Sequence, residues 1–195
     1  MTRRTQNDAD VARLRQRHAV REVAPPAESS VGGWLKDADL ADAFAIPLDA
    51  ADAAKGVDSL ARAAFGNPPP WIRRLIRLRD ALVAGFGVKT SQEVRRAAIA
   101  DKADRIDFFR VLSRSDRELI LGEDDRHLDF RLSLLLRTRP DAAGDELVAT
   151  TFVRCHNALG RVYLALISQF HRLVVVGILS RASNQGWRIE HRNRA

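Results

Sequence analysis

The stretch LGRVYLALISQFHRLVVVGILSRA, residues 159–182, is the longest regular element the sequence offers, and how it is read decides the fold. It is too long for a strand, and its apolar residues recur at helical spacing. Tyr163, Ile167, His171 and Val174 form one stripe, and Leu166, Phe170, Leu173 and Ile178 form an adjoining one. At 1.5 Å per residue the helix spans about 36 Å. As a bilayer span, residues 162–179 sit at the short end of the usual range and place Ser168, Gln169, His171 and Arg172 at their centre. An arginine there costs about 2.5–3.5 kcal/mol on insertion scales. The sequence therefore predicts a buried helix of a soluble domain, more than half of its circumference covered, with no stable membrane insertion.

Upstream of this helix the chain reads as strands. In HLDFRLSLLLR, residues 127–137, Leu128, Phe130, Leu132, Leu134 and Leu136 point one way, and His127, Asp129, Arg131, Ser133 and Leu135 the other. IDFFRVL (106–112), ELIL (118–121) and ELVATTFVRCH (146–156) have the same character and are separated by short polar turns, which predicts an antiparallel meander. ADLADAFAIPL (38–48) carries Pro47, which cannot donate to a ladder, and suits a first or edge strand. Two helices follow it. Residues 52–65 form an alanine-rich helix stopped by Gly66 and by Pro68, Pro69 and Pro70. A second starts at Pro70, repeats Trp71, Leu75, Leu78 and Leu82 at steps of four, three and four, and ends at Gly85 and Gly87. Its Arg73, Arg74 and Arg77 read as a solvated face. The polar stretch beyond Val88 has no firm assignment. The expected fold class is α+β.

The charge of +7 and the pI near 10.6 raise the question of a nucleic-acid partner. Residues 1–30 hold six arginines against four acids, and residues 181–195 hold four against Glu190, so +2 remains for the middle. A nucleic-acid-binding domain concentrates its excess on the folded part, and no nucleic-acid partner is expected. Residues 1–33 read as a basic, disordered tail with no apolar signal-peptide core, 34–182 as one domain, and 183–195 as a basic tail. The single cysteine, Cys155, forms no internal disulfide, no Cys/His cluster has zinc spacing, and a cytoplasmic setting fits. No metal or cofactor is expected.

Four phrases, ADAFAIPL, PPPWIRRLIRLRDALVAGFG, LGEDDRHLDFRLSL and TTFVRCHNALGRVYLALISQFHRLVVVGIL, occur in the order that resembles the bacterial family catalogued as domain of unknown function 2867, over roughly residues 34–182. The element order is similar to the helix-grip fold of the START-like (SRPBCC) superfamily, in which a curved antiparallel sheet wraps around a long C-terminal helix. The resemblance implies a cavity between sheet and helix that takes a small hydrophobic or amphipathic ligand. It brings no established activity. The dehydrogenase-like domain carried by some relatives is missing, since Gly32 and Gly33 form no GxGxxG.

Candidate site residues each have two readings. His127, Asp129 and Arg131 share a strand face that is either solvated or a polar patch at a cavity mouth, with His156 a distant third ligand for a metal. Asn157 suits an N-cap of the long helix. Arg161 in the first turn opposes the helix dipole, which makes it an anchor for a ligand's acid or for Asp129. Tyr163, Ile167 and His171, with Phe130 across from them, face the expected cavity, and His171 is either a satisfied core histidine or a general base. Cys155 reads as an inert buried thiol. Three functions remain open: a non-enzymatic ligand-binding module, a cyclase- or hydratase-type enzyme using His171 or His127 with Asp129, and a protein-interaction subunit, with a homodimer among the arrangements considered.

Overall fold

Alternating strands that bury one face need a second layer against it, and here the C-terminal helix is part of that layer. The computed structural model describes residues 19–66, 68–83, 104–107, 109–140 and 142–189. The first eighteen residues, the helix end expected at Gly85 and Gly87, and the stretch beyond Val88 lie outside them. The elements run β1 (Arg21–Val23), a 3-10 turn (Gly32–Asp37), β2 (Leu40–Leu48), α1 (Ala50–Ala53), α2 (Gly56–Phe65), α3 (Pro70–Val83), β3 (Arg105–Ile106), β4 (Phe109–Arg114), β5 (Glu118–Asp124), β6 (Leu128–Thr138), β7 (Asp145–Cys155) and α4 (Ala158–Asn184). The strands form one antiparallel open sheet in the order β1-β2-β7-β6-β5-β4-β3. This is an α+β fold with a long C-terminal helix, consistent with a helix-grip arrangement.

The alternation read in residues 127–137 is the alternation found. Across the ladders Phe44, Ala149, Leu134 and Leu119 form one row, and Ile46, Leu147 and Leu136 the next. These rows meet α2 (Val57, Leu60, Ala61, Ala64, Phe65) and the C-terminal half of α4 (Val175, Ile178, Leu179, Ala182) in the main core. Burying side chains of this size stabilises by about 1.5–3 kcal/mol each, before the entropy of ordering the chain is subtracted.

The structure departs from the sequence reading at several places. The sheet begins before Trp34: β1 pairs with β2, and Ser29 is buried. β2 is therefore flanked on both sides, yet Pro47 lies beyond Ala45, where the β1 pairing stops, so its missing donor is not needed there. The run 106–112 is two strands, because Asp107 takes a left-handed φ of 53° and turns the chain between β3 and β4. Aspartate tolerates that region better than most residues. The helix read over 52–65 is broken into α1 and α2 at Gly56, whose φ of 76° a side chain would resist. At the other end α4 runs to Asn184, and Trp187 is packed in the core.

The outer face of the sheet is strapped by the N-terminal segment. Glu146, fully buried, receives Arg21 at 2.6 Å and Arg137 at 3.0 Å, and Arg137 reaches Glu28 at 3.0 Å. Glu118 accepts hydrogen bonds from Ser29 (2.7 Å), Ser133 (2.6 Å) and the Ser30 amide (3.0 Å). Burial opposes its ionisation, but these donors outweigh burial and hold its pKa below the ordinary glutamate value. Trp34 lies between the guanidinium groups of Arg131 and Arg154, 4.4 and 4.1 Å from its ring centre.

Candidate functional site

The long helix starts where a cap and a glycine allow it to start. The Asn157 side chain accepts the Gly160 amide at 3.0 Å, satisfying one of the free donors of the first turn. Gly160 lies so close to the His127 carbonyl that any Cβ there would collide with it. The His156 amide donates to that same carbonyl at 2.9 Å. His127 itself is buried, its ring against Asn157 and Arg126. It anchors the helix start and does not pair with Asp129.

Asp129 instead meets His156 at 3.0 Å on the outer face of the sheet. Arg131 on that face reaches Asp124 and stacks on Trp34. Arg161 does have a carboxylate near it, 3.7 Å away, but it belongs to Asp39 rather than Asp129. The sequence candidates thus divide between two places: His127, Asp129 and His156 at the outer edge of the β6–β7 ladder, and Phe130, Tyr163, Ile167 and His171 inside the grip.

Inside the grip, the flank of α4 that turns toward β1 and β2 is pinned by charge. His171 Nε2 is 3.2 Å from both carboxylate oxygens of Asp42, Arg172 pairs with Glu22, and Arg161 approaches Asp39. Along the helix Ile167 stands about 40°, Val174 about 60° and Tyr163 about 80° from His171, all on the side away from Arg161 and Arg172. On the same face of the sheet, Phe109, Val111 and Phe130 are all half-buried. Phe109 stacks edge-on against Phe65 (5.9 Å) and Phe130 (5.8 Å). Under the N-terminal half of α4 the sheet floor of Leu132, Thr151 and Val153 is buried together with Leu164 of the helix, while the rim of Leu40, Asp42, Phe130, Tyr163, Ile167 and His171 stays partly open.

Sequence reading missed Asp42. Its signal was present, because Asp42 has the parity of Phe44 and Ile46 and so is an acid on the apolar face of its strand. Thr151, directly across from it in the ladder, shares that face and was missed for the same reason. His171, Asp42 and Thr151 together form a polar spot at the β2 side of this face, and Glu123, across the ladder from Phe130 and paired with Arg105, forms another at its β5 side. A carboxylate on an imidazole fixes the orientation of the ring, which suits the pair to hold a hydroxylic headgroup or to move a proton. Cys155, half-buried at the end of β7, has its pKa raised by burial and by Asp39, so its thiol is a poor nucleophile at neutral pH.

The expectation of a buried helix with more than half of its circumference covered is also corrected. By length and composition α4 is apolar enough to cross a membrane, and 22% of its most apolar 18-residue window is buried. The covered stripe is Gly160, Leu164, Val175, Ile178, Leu179 and Ala182, while Leu166, Phe170 and Leu173 of the second stripe are exposed.

Comparison with known proteins gives one match. The family described as Protein of unknown function (DUF2867) matches over residues 34–178, from Trp34 into the buried half of α4. No curated protein and no solved structure matches.

Proposed function

The chain belongs to the DUF2867 family of proteins of unknown function, and from that premise we propose that it binds a small amphipathic molecule between the sheet and the N-terminal half of α4. The observation that carries this reading is the partly open rim: the apolar side chains of Phe109, Phe130 and Ile167 with a polar cluster, Asp42, Thr151 and His171, at its β2 side. Apolar walls with a few fixed polar groups are the usual composition of a ligand site. The apolar part of the ligand lies along Phe130, Tyr163 and Ile167, and a polar headgroup meets His171. The START-like superfamily placement accords with this use of the grip and belongs to the same proposal, as does a cytoplasmic setting.

One observation favours a second reading. The His171–Asp42 pair is the arrangement of a general base with its orienting carboxylate, so a cyclase- or hydratase-type proton transfer is the enzymatic alternative. His127 and Asp129 do not serve it, being bound elsewhere.

Native mass spectrometry of freshly purified protein tests the main reading. Wild type is expected to carry a small apolar adduct, and Ile167→Trp, which fills the rim, is expected to lose it while keeping its fold. A bare chain for wild type, or an adduct that Ile167→Trp retains, contradicts the assignment. His171→Phe separates the two readings: a binding module weakens for headgroup-bearing ligands only, whereas an enzyme keeps binding and loses turnover.

A further inference from the structure

The outward face of α4 carries an apolar stripe that the inward-facing ligand site does not use. Val162 (67% exposed), Leu166 (45%), Phe170 (47%) and Leu173 (60%) follow one another at helical spacing over about 16 Å. Gly177, one turn beyond Leu173, receives the Trp71 ring: a Cβ at 177 would stand 2.7 Å from Trp71 Cζ2. Trp71 is itself 43% exposed, so the stripe continues from α4 onto the first turn of α3.

Both helices also carry an excess of cationic residues. α3 holds four arginines and one aspartate, and α4 three arginines and no acid, a net +6 within a chain whose total is +7. Arg161 and Arg172 are near Asp39 and Glu22, but Arg73, Arg74 and Arg77 are exposed, and Arg74 lies one turn from Trp71. The near-neutral total of the middle of the chain concealed this asymmetry, because the acids lie elsewhere.

We infer that α3 and α4 form a docking face for an anionic bilayer surface, with α4 lying along the headgroups. An exposed apolar stripe with a tryptophan at its margin and exposed arginines on the adjoining helix matches what an interfacial helix needs: apolar side chains in the acyl boundary and cations among the phosphates. Lying flat leaves Arg172 among headgroups, so the cost that argues against a membrane-crossing helix does not arise. Charge complementarity selects this occupant over a second copy of the chain, which would bring the same exposed Arg73, Arg74 and Arg77 against this face.

Vesicle co-sedimentation of the full chain is the test, with phosphatidylcholine alone and with phosphatidylglycerol added. Binding is expected only to the anionic vesicles, with a blue-shifted Trp71 emission that Trp71→Phe removes. Each of Arg73→Gln, Arg74→Gln and Arg77→Gln is expected to weaken binding about fivefold and to flatten its salt dependence. The double variant Leu166→Gln/Phe170→Ser changes only exposed side chains; it is expected to lose vesicle binding while keeping the thermal melting curve and the native-mass adduct of wild type. No binding to anionic vesicles, equal binding to both compositions, or binding unaffected by these variants overturns the inference. So does a concentration-dependent dimer, abolished by the double variant, in place of vesicle binding. A lost adduct with intact vesicle binding refutes the ligand site alone.

Discussion

The two halves of the C-terminal helix are built for different purposes although their sequences are equally apolar. Its C-terminal half, Val175 to Ala182, is closed between α2 and the Phe44 and Ile46 rows of the sheet. Its N-terminal half covers a floor of Leu132, Thr151 and Val153, leaves its rim partly open, and turns Val162, Leu166 and Phe170 outward. The difference lies in what accompanies each half: α2 lies against the closed half, whereas the other half is held by polar contacts, Asn157 at its start and Asp42, Asp39 and Glu22 along one flank. Stability and function are thereby assigned to different turns of one element.

The largest effect should come from the closed half. Leu179→Ala removes a fully buried side chain and is expected to cost about 2–5 kcal/mol in urea unfolding. A loss below 1 kcal/mol would mean that this half is not packed as described. At the start of the open half, Asn157→Ala removes the N-cap and the His127 contact, and a loss of about 1 kcal/mol is expected, with Asn157→Asp restoring most of the cap.

How much of this was legible in the sequence depended on whether a feature was periodic. The alternation of residues 127–137 and the helical spacing of 159–182 were readable because each repeats over several turns or pleats, and the Asn157 cap was readable because it sits where the two patterns meet. The turn at Asp107 was not, since nothing in IDFFRVL marks a left-handed residue. The strand at Arg21–Val23 has three residues, too few for alternation to register, and it owes its place to Glu146 and β2. The polar cluster depends on partners 109 and 129 residues apart along the chain, Thr151 and His171 from Asp42, and no local pattern joins them. The coverage of α4 was overestimated because apolar residues were assumed to be inside, and apolar atoms make up much of any protein surface.

The outer face of the sheet supplies a control that is independent of either half. Glu118 has a depressed folded pKa, so its contribution is present above the unfolded glutamate value of about 4.3 and is lost as pH falls through the folded pKa. Stability is expected to decline with acid below that point, and Glu118→Gln should show a shallower decline in thermal melts; an identical pH profile for both would remove Glu118 from the account. The smallest effect is predicted on the outward stripe, where Leu173→Gln should alter unfolding free energy by no more than about 0.5 kcal/mol. A loss comparable to that of Leu179→Ala would show that this stripe is covered in solution.

The division of α4 is tested most directly by native-state hydrogen exchange along the helix. Amides of Val175 to Ala182 are predicted to exchange only through global unfolding, and those of Val162 to His171 through a lower-energy local opening that a bound ligand suppresses. Uniform protection at the global free energy from Val162 to Ala182, unchanged by ligand, would contradict the division between a closed half and an open one.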